Sequence, residues 1–220
     1  MTSRHWPLFG LRLRTPRLEL RLPAPADLDA LADLAAEGVH DPAVQPFTVP
    51  WTDAPAAERA GSTVRYHWSQ WAAWQPDNWS LELVAEADGA VVGTQGLNAC
   101  NFAELREVGT WSWLGLRHQG QGIGTEMRAA VLHLAFAGLG AEWATSGAYE
   151  NNVASLAVSR KLGYGPDGIE RHLIRGRPAV LVRLRLHRAA WEAARTVPVE
   201  IEGLEPCLPH FGLPPGSAGS

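Results

Sequence analysis

The sequence contains little cysteine, a single lysine and no long apolar run. Its two cysteines, Cys100 and Cys207, lack the spacing of zinc ligands and are too few for a disulfide framework, so a reducing cytoplasm is expected. No segment reaches the ~20 apolar residues of a membrane span, and the first residues lack the apolar stretch of a signal peptide. The net charge of −4 provides no basic surface for nucleic acid. We therefore expect no metal, no membrane and no nucleic acid among the partners.

The amino-acid composition is that of an ordinary globular protein. Apolar residues make up 46% of the 220 residues, which is enough for one domain with a full core and not comfortably for two. We predict a domain over residues 1–195 and a Pro/Gly-rich tail over residues 196–220, partly disordered or packed on a neighbouring subunit. Ten tryptophans are present, and an exposed aromatic patch among them favours a homo-oligomer.

The apolar pattern predicts alternating strands and helices. Leu18, Leu20 and Leu22 alternate with charged residues, as in a half-buried strand. Asp88–Gly89 separates two alternating segments, which predicts a hairpin. The full order is β-α-α-β-β-β-α-β-α-β-β, followed by a candidate edge strand in the tail. This order predicts an α/β fold with a mixed sheet and helices on both faces.

The segment LRHQGQGIGTEMR places glycines at 120, 122 and 124, between a predicted strand and a predicted helix. The first amides of a helix point outward without partners and attract anions, and glycine lets a phosphate approach the backbone closely. The P-loop is excluded because its lysine is missing, and the dinucleotide fingerprint fails because Thr125 stands where a third glycine is needed. A tight turn without a ligand is the alternative, although one glycine would suffice for it.

Two motifs resemble those of the GNAT superfamily of acyl-CoA-dependent N-acyltransferases. Gln119, Gly122 and Gly124 match its (Gln/Arg)-x-x-Gly-x-(Gly/Ala) signature, and NNVASLAVSRKLGY resembles the Asn-x-x-Ser helix that follows one strand later. The resemblance covers roughly residues 15–187. Within the superfamily the chain looks closest to the ribosomal-protein alanine N-acetyltransferases, and more narrowly to a subgroup described as succinyltransferases.

The resemblance implies a coenzyme A thioester as cofactor, acetyl-CoA or succinyl-CoA, held in a V-shaped cleft of a mostly antiparallel sheet. The amides from Gln119 to Thr125 would cradle the diphosphate. The strand end at 114–116 would offer backbone groups to the pantetheine arm, and Asn152 would contact that arm, unless it is a helix cap alone. The cofactor residues so assigned are Leu114, Gly115, Leu116, Gln119, Gly120, Gln121, Gly122, Ile123, Gly124, Thr125, Asn152 and Ser155.

Direct acyl transfer needs a base for the amine and a donor for the leaving sulfur. Glu107 stands where several GNAT enzymes place a base, and Glu82 is a second candidate; a solvated surface charge is the alternative for Glu107. The tyrosine that many relatives use as donor is replaced by Ser159, so the resemblance favours Ser155 instead. A serine satisfied by its own helix backbone is the competing interpretation.

The acceptor side is less defined. His40, Arg65 and His67 are candidates to hold the carboxylate of a succinyl donor, although a packing role is the more ordinary one for each. Trp51 and Trp79 are candidates to line the acceptor pocket. The acceptor itself is expected to be an amine of a small molecule or a protein. Two other functions stay open: a CoA-binding sensor or scaffold without turnover, and an unrelated binder of phosphosugars or nucleotides.

Overall fold

A nine-stranded sheet runs through the computed structural model, which describes residues 3–216. Its strands are β1 (Arg12–Arg14), β2 (Leu18–Arg21), β3 (Asn78–Ala87), β4 (Ala90–Cys100), β5 (Glu107–Leu114), β6 (Trp143–Tyr149), β7 (Gly165–Ile174), β8 (Arg177–His187) and β9 (Glu200–Glu202). The helices are α1 (Pro25–Glu37), α2 (Ala56–Ala73), α3 (Phe102–Leu105), α4 (Ile123–His133), α5 (Val153–Lys161) and α6 (Arg188–Ala194). A π-helical turn, Leu134–Gly138, extends α4. The strand order is β7-β8-β6-β5-β4-β3-β2-β1-β9.

Neighbouring strands are antiparallel except for one pair. The hairpin of β3 and β4 turns at Asp88 and Gly89, whose φ angles of 50° and 75° suit the two-residue turns that match the twist of a sheet. This hairpin and the mixed α/β sheet are confirmed. The hairpin of β7 and β8 turns at Arg175 and Gly176, one residue earlier than the Gly176–Pro178 turn that the sequence suggests.

The parallel pair β5 and β6 is joined over a short stretch. Glu107 to Gly109 pair with Trp143 to Thr145, and beyond them β5 stays with β4 while β6 stays with β8. The sheet therefore divides into two halves that part after Gly109, which confirms the predicted V.

Helices cover both faces of the sheet. Leu28 and Leu31 of α1 pack with Val84 and Trp113 on one face. The apolar stripe of α4 packs on the other face in the main core. Because side chains of β5 alternate between the faces, Val108 joins the α4 side and Trp113 the α1 side.

The C-terminal tail packs on the core of its own domain, and its predicted contact with a neighbouring subunit stays a prediction. Strand β9 pairs with β1, and the following turn buries Cys207, Leu208 and Phe211 completely. The ring of Phe211 lies 4.9 Å from that of Trp79. The division at residue 195 is therefore no break in packing, and α6, β1 and α3 were not predicted. Residues 217–220, on which part of the disorder prediction falls, lie outside the described residues.

Truncating Phe211 should destabilise the whole domain. We expect Phe211→Ala to lower the free energy of unfolding by about 3–5 kcal/mol, because it removes a fully buried ring. The matched control is Leu173→Ala, since that side chain is 76% exposed and its loss should change stability little. Urea unfolding measures both, and equal effects would show that the tail is not part of the core.

Candidate active site

The glycine segment between β5 and α4 presents a row of free amides. Gly120 and Gly122 have φ angles of 74° and 81°, a left-handed backbone that favours glycine, and Gly122 caps α4. Among residues 3–216, no hydrogen bond uses the amides from 120 to 124. The amides of Gln119 and Thr125 bond instead to the carbonyls of Leu116 and Gly122, at 3.2 and 3.1 Å. The row of free amides is therefore two residues shorter than the predicted cradle, and it coincides with the positive end of α4.

Sequence reasoning missed Arg17, which anchors this row. Its Nε lies 2.6 Å from Oε2 of Glu126, and its Nη1 donates to the carbonyl of Gln121 at 3.0 Å. Glu126 is buried in the first turn of α4 and also accepts from the hydroxyl of Thr15 at 2.6 Å. Arg17 thus neutralises a carboxylate beside the free amides and keeps the local charge favourable for an anion. Residues 109 positions apart give no local signal for such a pair.

The side chain of Gln119 bonds to two separate segments of the backbone. Its Nε2 donates to the carbonyls of Val39 and Leu114, at 2.7 and 3.0 Å. It therefore ties the end of β5 to the connection after α1. This contact gives the glutamine of the motif a structural role, and its predicted contact with a cofactor stays a prediction.

The parting of β5 from β6 leaves backbone groups directed into the gap. The amide of Gly115 bonds back to Val92 of β4 at 3.0 Å. Because backbone groups alternate in direction along a strand, those of Ser112 and Leu114 face away from β4, although the Leu114 carbonyl already accepts from Nε2 of Gln119. Gly115 and Leu116 were also predicted to offer backbone groups, but the Gly115 amide and the Leu116 carbonyl are engaged by the chain itself.

Helix α5 borders the gap with Asn152 and Ser155. Asn152 caps the helix, because its Oδ1 accepts from the amide of Ser155 at 3.1 Å. The hydroxyl of Ser155, on a half-buried residue, has no hydrogen-bond partner within the described part of the chain. Ser159 is buried and donates to the Ser155 carbonyl at 3.1 Å. The self-satisfied helix serine is thus Ser159, and Ser155 keeps a free hydroxyl at the gap.

The two carboxylates proposed as bases have different surroundings. Glu107 pairs with Arg185, whose guanidinium also lies 5.0 Å from the ring of Trp143. The Glu107 hydrogen bond raises the pKa of Arg185. Glu107 lines an open cavity of about 430 Å³ at the parting of the strands, together with Thr110, Trp111 and Ser146.

Glu82 is fully buried on β3. Burial raises its pKa to about 7, against hydrogen bonds that lower it. Its Oε1 accepts from the hydroxyls of Ser80 at 2.6 Å and Tyr66 at 3.2 Å, while Oε2 has no partner among residues 3–216. Gly96 makes room for the Trp111 indole, which occupies the place of a Cβ, and the Trp111 side chain helps to lower the pKa of Glu82. A carboxyl with a pKa near neutrality suits proton transfer at physiological pH.

An aromatic series connects the α1–α2 connection to β5. The rings of His40, Phe47, Trp51 and Trp113 follow one another at centroid distances of 5.4–5.8 Å. Both ring nitrogens of His40 are hydrogen-bonded, to the carbonyl of Asp41 and the hydroxyl of Thr52. Trp51 therefore lies on the same face of the sheet as the Trp111 indole. His40 lies at the end of the series farthest from Trp113.

The other acceptor-side candidates are not brought to this face. Trp79 is 2% exposed and packs in the core between Trp74 and Phe211. His67 is 1% exposed, and burial lowers its pKa to about 4. Arg65 is exposed and lies along its own helix over Gly61. The periodicity of α2 showed that Arg65 and His67 share a helix, but not which of them faces the sheet.

One bridge crosses the cleft on this side. Arg175, at the tip of the β7–β8 hairpin, pairs with Asp53 and donates to the carbonyl of Pro42 at 2.8 Å. The hydrogen bond lowers the pKa of Asp53 and raises that of Arg175. The bridge holds the hairpin against the α1–α2 connection.

Comparisons with known proteins agree with this geometry. Residues 17–165 match the family described as "Acetyltransferase (GNAT) domain". The chain belongs to this family. Among similar solved structures, Mycobacterium smegmatis RimJ in complex with CoA-disulfide is 19% identical over 87% of this chain and 97% of that one, with a TM-score of 0.69. RimL, a ribosomal L7/L12 alpha-N-protein acetyltransferase in complex with coenzyme A, is 17% identical over 79% and 95%, with a TM-score of 0.62.

A spermidine N-acetyltransferase SpeG chimera from Vibrio cholerae and hSSAT is also similar, at 17% identity over 80% of this chain and 98% of that one, with a TM-score of 0.61. At these identities the structures support the GNAT fold alone. Within residues 3–216, no cluster of histidine, cysteine and carboxylate side chains is arranged to hold a metal ion. The same residues include no helix long and apolar enough to cross a membrane.

The buried carboxyl of this GNAT domain should make its stability depend on pH. A carboxylic acid whose pKa is raised from 4.5 to about 7 in the folded state binds a proton more tightly folded than unfolded. Stability from this group is therefore lost as the pH rises from about 4.5 to 7. We expect Glu82→Gln to gain up to roughly 3 kcal/mol on the wild type across that interval. Urea unfolding at several pH values measures it, with Glu107→Gln as control; a difference independent of pH would contradict the assignment.

Proposed function

We propose that this protein is a CoA-dependent N-acyltransferase that moves an acetyl group from acetyl-CoA to a primary amine. The observation that carries the proposal is the row of free amides from Gly120 to Gly124, at the positive end of α4 and beside a strand that has left its neighbour. Helix amides and glycine suit a diphosphate. Unpaired strand groups suit the amides of a pantetheine arm.

The residues present fit coenzyme A. The amides of 120–124 would hold the diphosphate, with Arg17 beside them. The backbone of Ser112 and the amide of Leu114 would meet the pantetheine arm, and the free Nδ2 of Asn152 is a further donor. When bound, the thioester supplies the acyl carbon: its bond to sulfur breaks as the amine nitrogen bonds to that carbon. Of the two protons that the ammonium nitrogen loses, one goes to a base and then to solvent, and the other ends on sulfur.

Glu82 is the preferred base. Its carboxyl has a pKa of about 7, an unpartnered oxygen and a hydrogen bond from Tyr66, whose ring is 39% exposed. A proton can pass to it through the Tyr66 hydroxyl or a water molecule. Glu107 is committed to Arg185 and lines the cavity, so we assign it to holding the acceptor ammonium. The hydroxyl of Ser155 is assigned as donor to the leaving sulfur.

The acceptor is an amine, of a small molecule or a protein. Trp51, Trp111 and Trp113 would present apolar surface to its carbon chain, and Glu107 a negative charge to its nitrogen. Succinyl-CoA is the second candidate donor, because Arg183 and Arg185 line the cavity and a guanidinium suits a carboxylate. Competition between the two thioesters in one assay distinguishes them. A cytoplasmic location and a homo-oligomer belong to the same proposal, and sedimentation of the purified protein tests the second.

Blocking the amide row should abolish CoA binding without unfolding the protein. A Cβ at Gly124 would lie 3.5 Å from Leu114, an ordinary contact, and a carboxylate in the first turn favours the helix. We expect Gly124→Glu to weaken CoA binding by at least about 100-fold in calorimetry, because it places bulk and negative charge at the row. Gly10→Glu is the matched control, since nothing lies within 4 Å of its Cβ. Unchanged CoA affinity in a folded Gly124→Glu variant would show that the amide row does not hold the diphosphate.

Measurements of kcat and KM against pH should distinguish the roles of Glu82 and Glu107. For wild type we expect kcat/KM to rise with pH, to reach half its plateau near pH 7 and to level off about one unit above, because Glu82 must lose its proton to act. Glu82→Gln should lose roughly 100-fold or more in kcat, whereas Glu107→Gln should mainly raise the acceptor KM. The reverse pattern would make Glu107 the base. Binding of CoA with no amine-dependent thiol release in wild type would favour the sensor or scaffold.

A further inference from the structure

Arg128 is a buried cation without a counter-charge. It lies on α4, is 4% exposed, and pairs with no carboxylate within the described part of the chain. Its one hydrogen bond there goes from Nη1 to the hydroxyl of Ser159 at 2.8 Å, and its Nε is buried without a partner. An unpaired buried charge costs several kcal/mol, so this guanidinium is expected to meet a negative charge in the working protein.

The position of Arg128 limits where that charge arises. It follows Gly124 by one turn on the same face of α4, about 6 Å along the helix. Burial lowers the pKa of Arg128, and the charge of Tyr164 acts against that lowering. The phenol oxygen of Tyr164 is 3.2 Å from the Thr110 hydroxyl of β5. Thr110 in turn bonds across to Thr145 of β6 at 3.2 Å. Arg128 therefore lies under the point where the two strands part.

This point is the far end of the proposed cofactor path. The path begins at the amide row and runs along β5 from Leu114 towards Thr110, about 13 Å at the usual rise of a strand. The diphosphate occupies its start, so the anion that forms at its other end is the sulfur of the leaving thiol. Ser159 also links Arg128 to the carbonyl of Ser155, the residue assigned to that sulfur.

We propose that Arg128 is a positioning residue whose fixed positive charge stabilises the thiolate of departing coenzyme A. The inference rests on the proposed function. The carbon–sulfur bond breaks with its electron pair on sulfur, and the positive charge lowers the energy of that anion until it takes a proton. The titratable group that faces the guanidinium is Tyr164, whose pKa burial raises, so the phenol stays neutral and does not cancel the charge. Ser159, which replaces the tyrosine that many relatives use as donor, thus leaves space for the guanidinium of Arg128.

The thiol of bound coenzyme A reports this charge directly. Free coenzyme A is titrated in complex with the protein, and the thiolate is followed by its ultraviolet absorption. For wild type we expect the thiol pKa to lie at least one unit below that of coenzyme A in water. Arg128→Met should return it to the solution value and lower kcat by roughly 10–100-fold with the KM for acetyl-CoA within a few fold. Arg128→Lys and Ser159→Ala both keep the charge, and we expect both to keep most of the shift.

The matched control is Arg59→Met. Arg59 gives its donors to the carbonyls of Ala35, Ala36 and Ala54, so its loss should affect stability and leave the thiol pKa alone. A normal thiol pKa in the wild-type complex would overturn the proposal even if Arg128→Met fails to fold. The same pKa in wild type and a folded Arg128→Met variant would overturn it as well. Absence of CoA binding by wild type in calorimetry would instead remove the proposed function, and this inference with it.

Discussion

The parting of β5 from β6 after Gly109 is the constraint on which the site depends. Strand pairing normally satisfies every backbone group inside a sheet, and here one strand leaves its neighbour while both keep their other partner. The amides and carbonyls directed into the gap need another partner. Helix α4 begins at the open end of the gap and adds its own free amides. The same interruption of pairing therefore creates both the cleft and the groups that line it.

Charge is distributed unevenly around this cleft. Among residues 3–216, a carboxyl, Glu82, is buried on the α1 face without a cation, and a guanidinium, Arg128, is buried on the α4 face without an anion. A direct pair would have cost less than leaving each group alone. Since the sheet separates them, each is available to a different end of a reaction in which a proton leaves nitrogen and negative charge reaches sulfur. Exposed ion pairs elsewhere join separate parts of the fold. Arg175 with Asp53, for example, joins the β7–β8 hairpin to the α1–α2 connection.

The sequence predicted the fold and the glycine segment because both follow from local patterns. Alternation specified the strands, and the glycines at 120 and 122 specified the left-handed turn. The residues that it missed act over long separations: Arg17 reaches Glu126, and Arg128 reaches Ser159, through contacts that no spacing indicates. Trp79 was a candidate for the acceptor pocket and His67 for a succinyl carboxylate because their side chains suit those contacts, whereas their burial depends on which face β3 and α2 turn to the core. The prolines and glycines of the tail predicted partial disorder, and they gave no signal that Leu208 and Phe211 would be fully buried in the core.

The packed tail also brings the C-terminal part of the described chain next to its N-terminal part. Trp6 near the N-terminus lies 5.1 Å from the ring of His210 and 5.8 Å from that of Trp74, while β9 runs beside β1. Trp6, His210 and β9 thus all lie on the β1 side of the sheet, and β5 and β6 part on the far side of β4, β3 and β2. A circularly permuted chain, joined across this junction and opened at the exposed Asp88–Gly89 turn, keeps every strand neighbour and leaves the cleft intact.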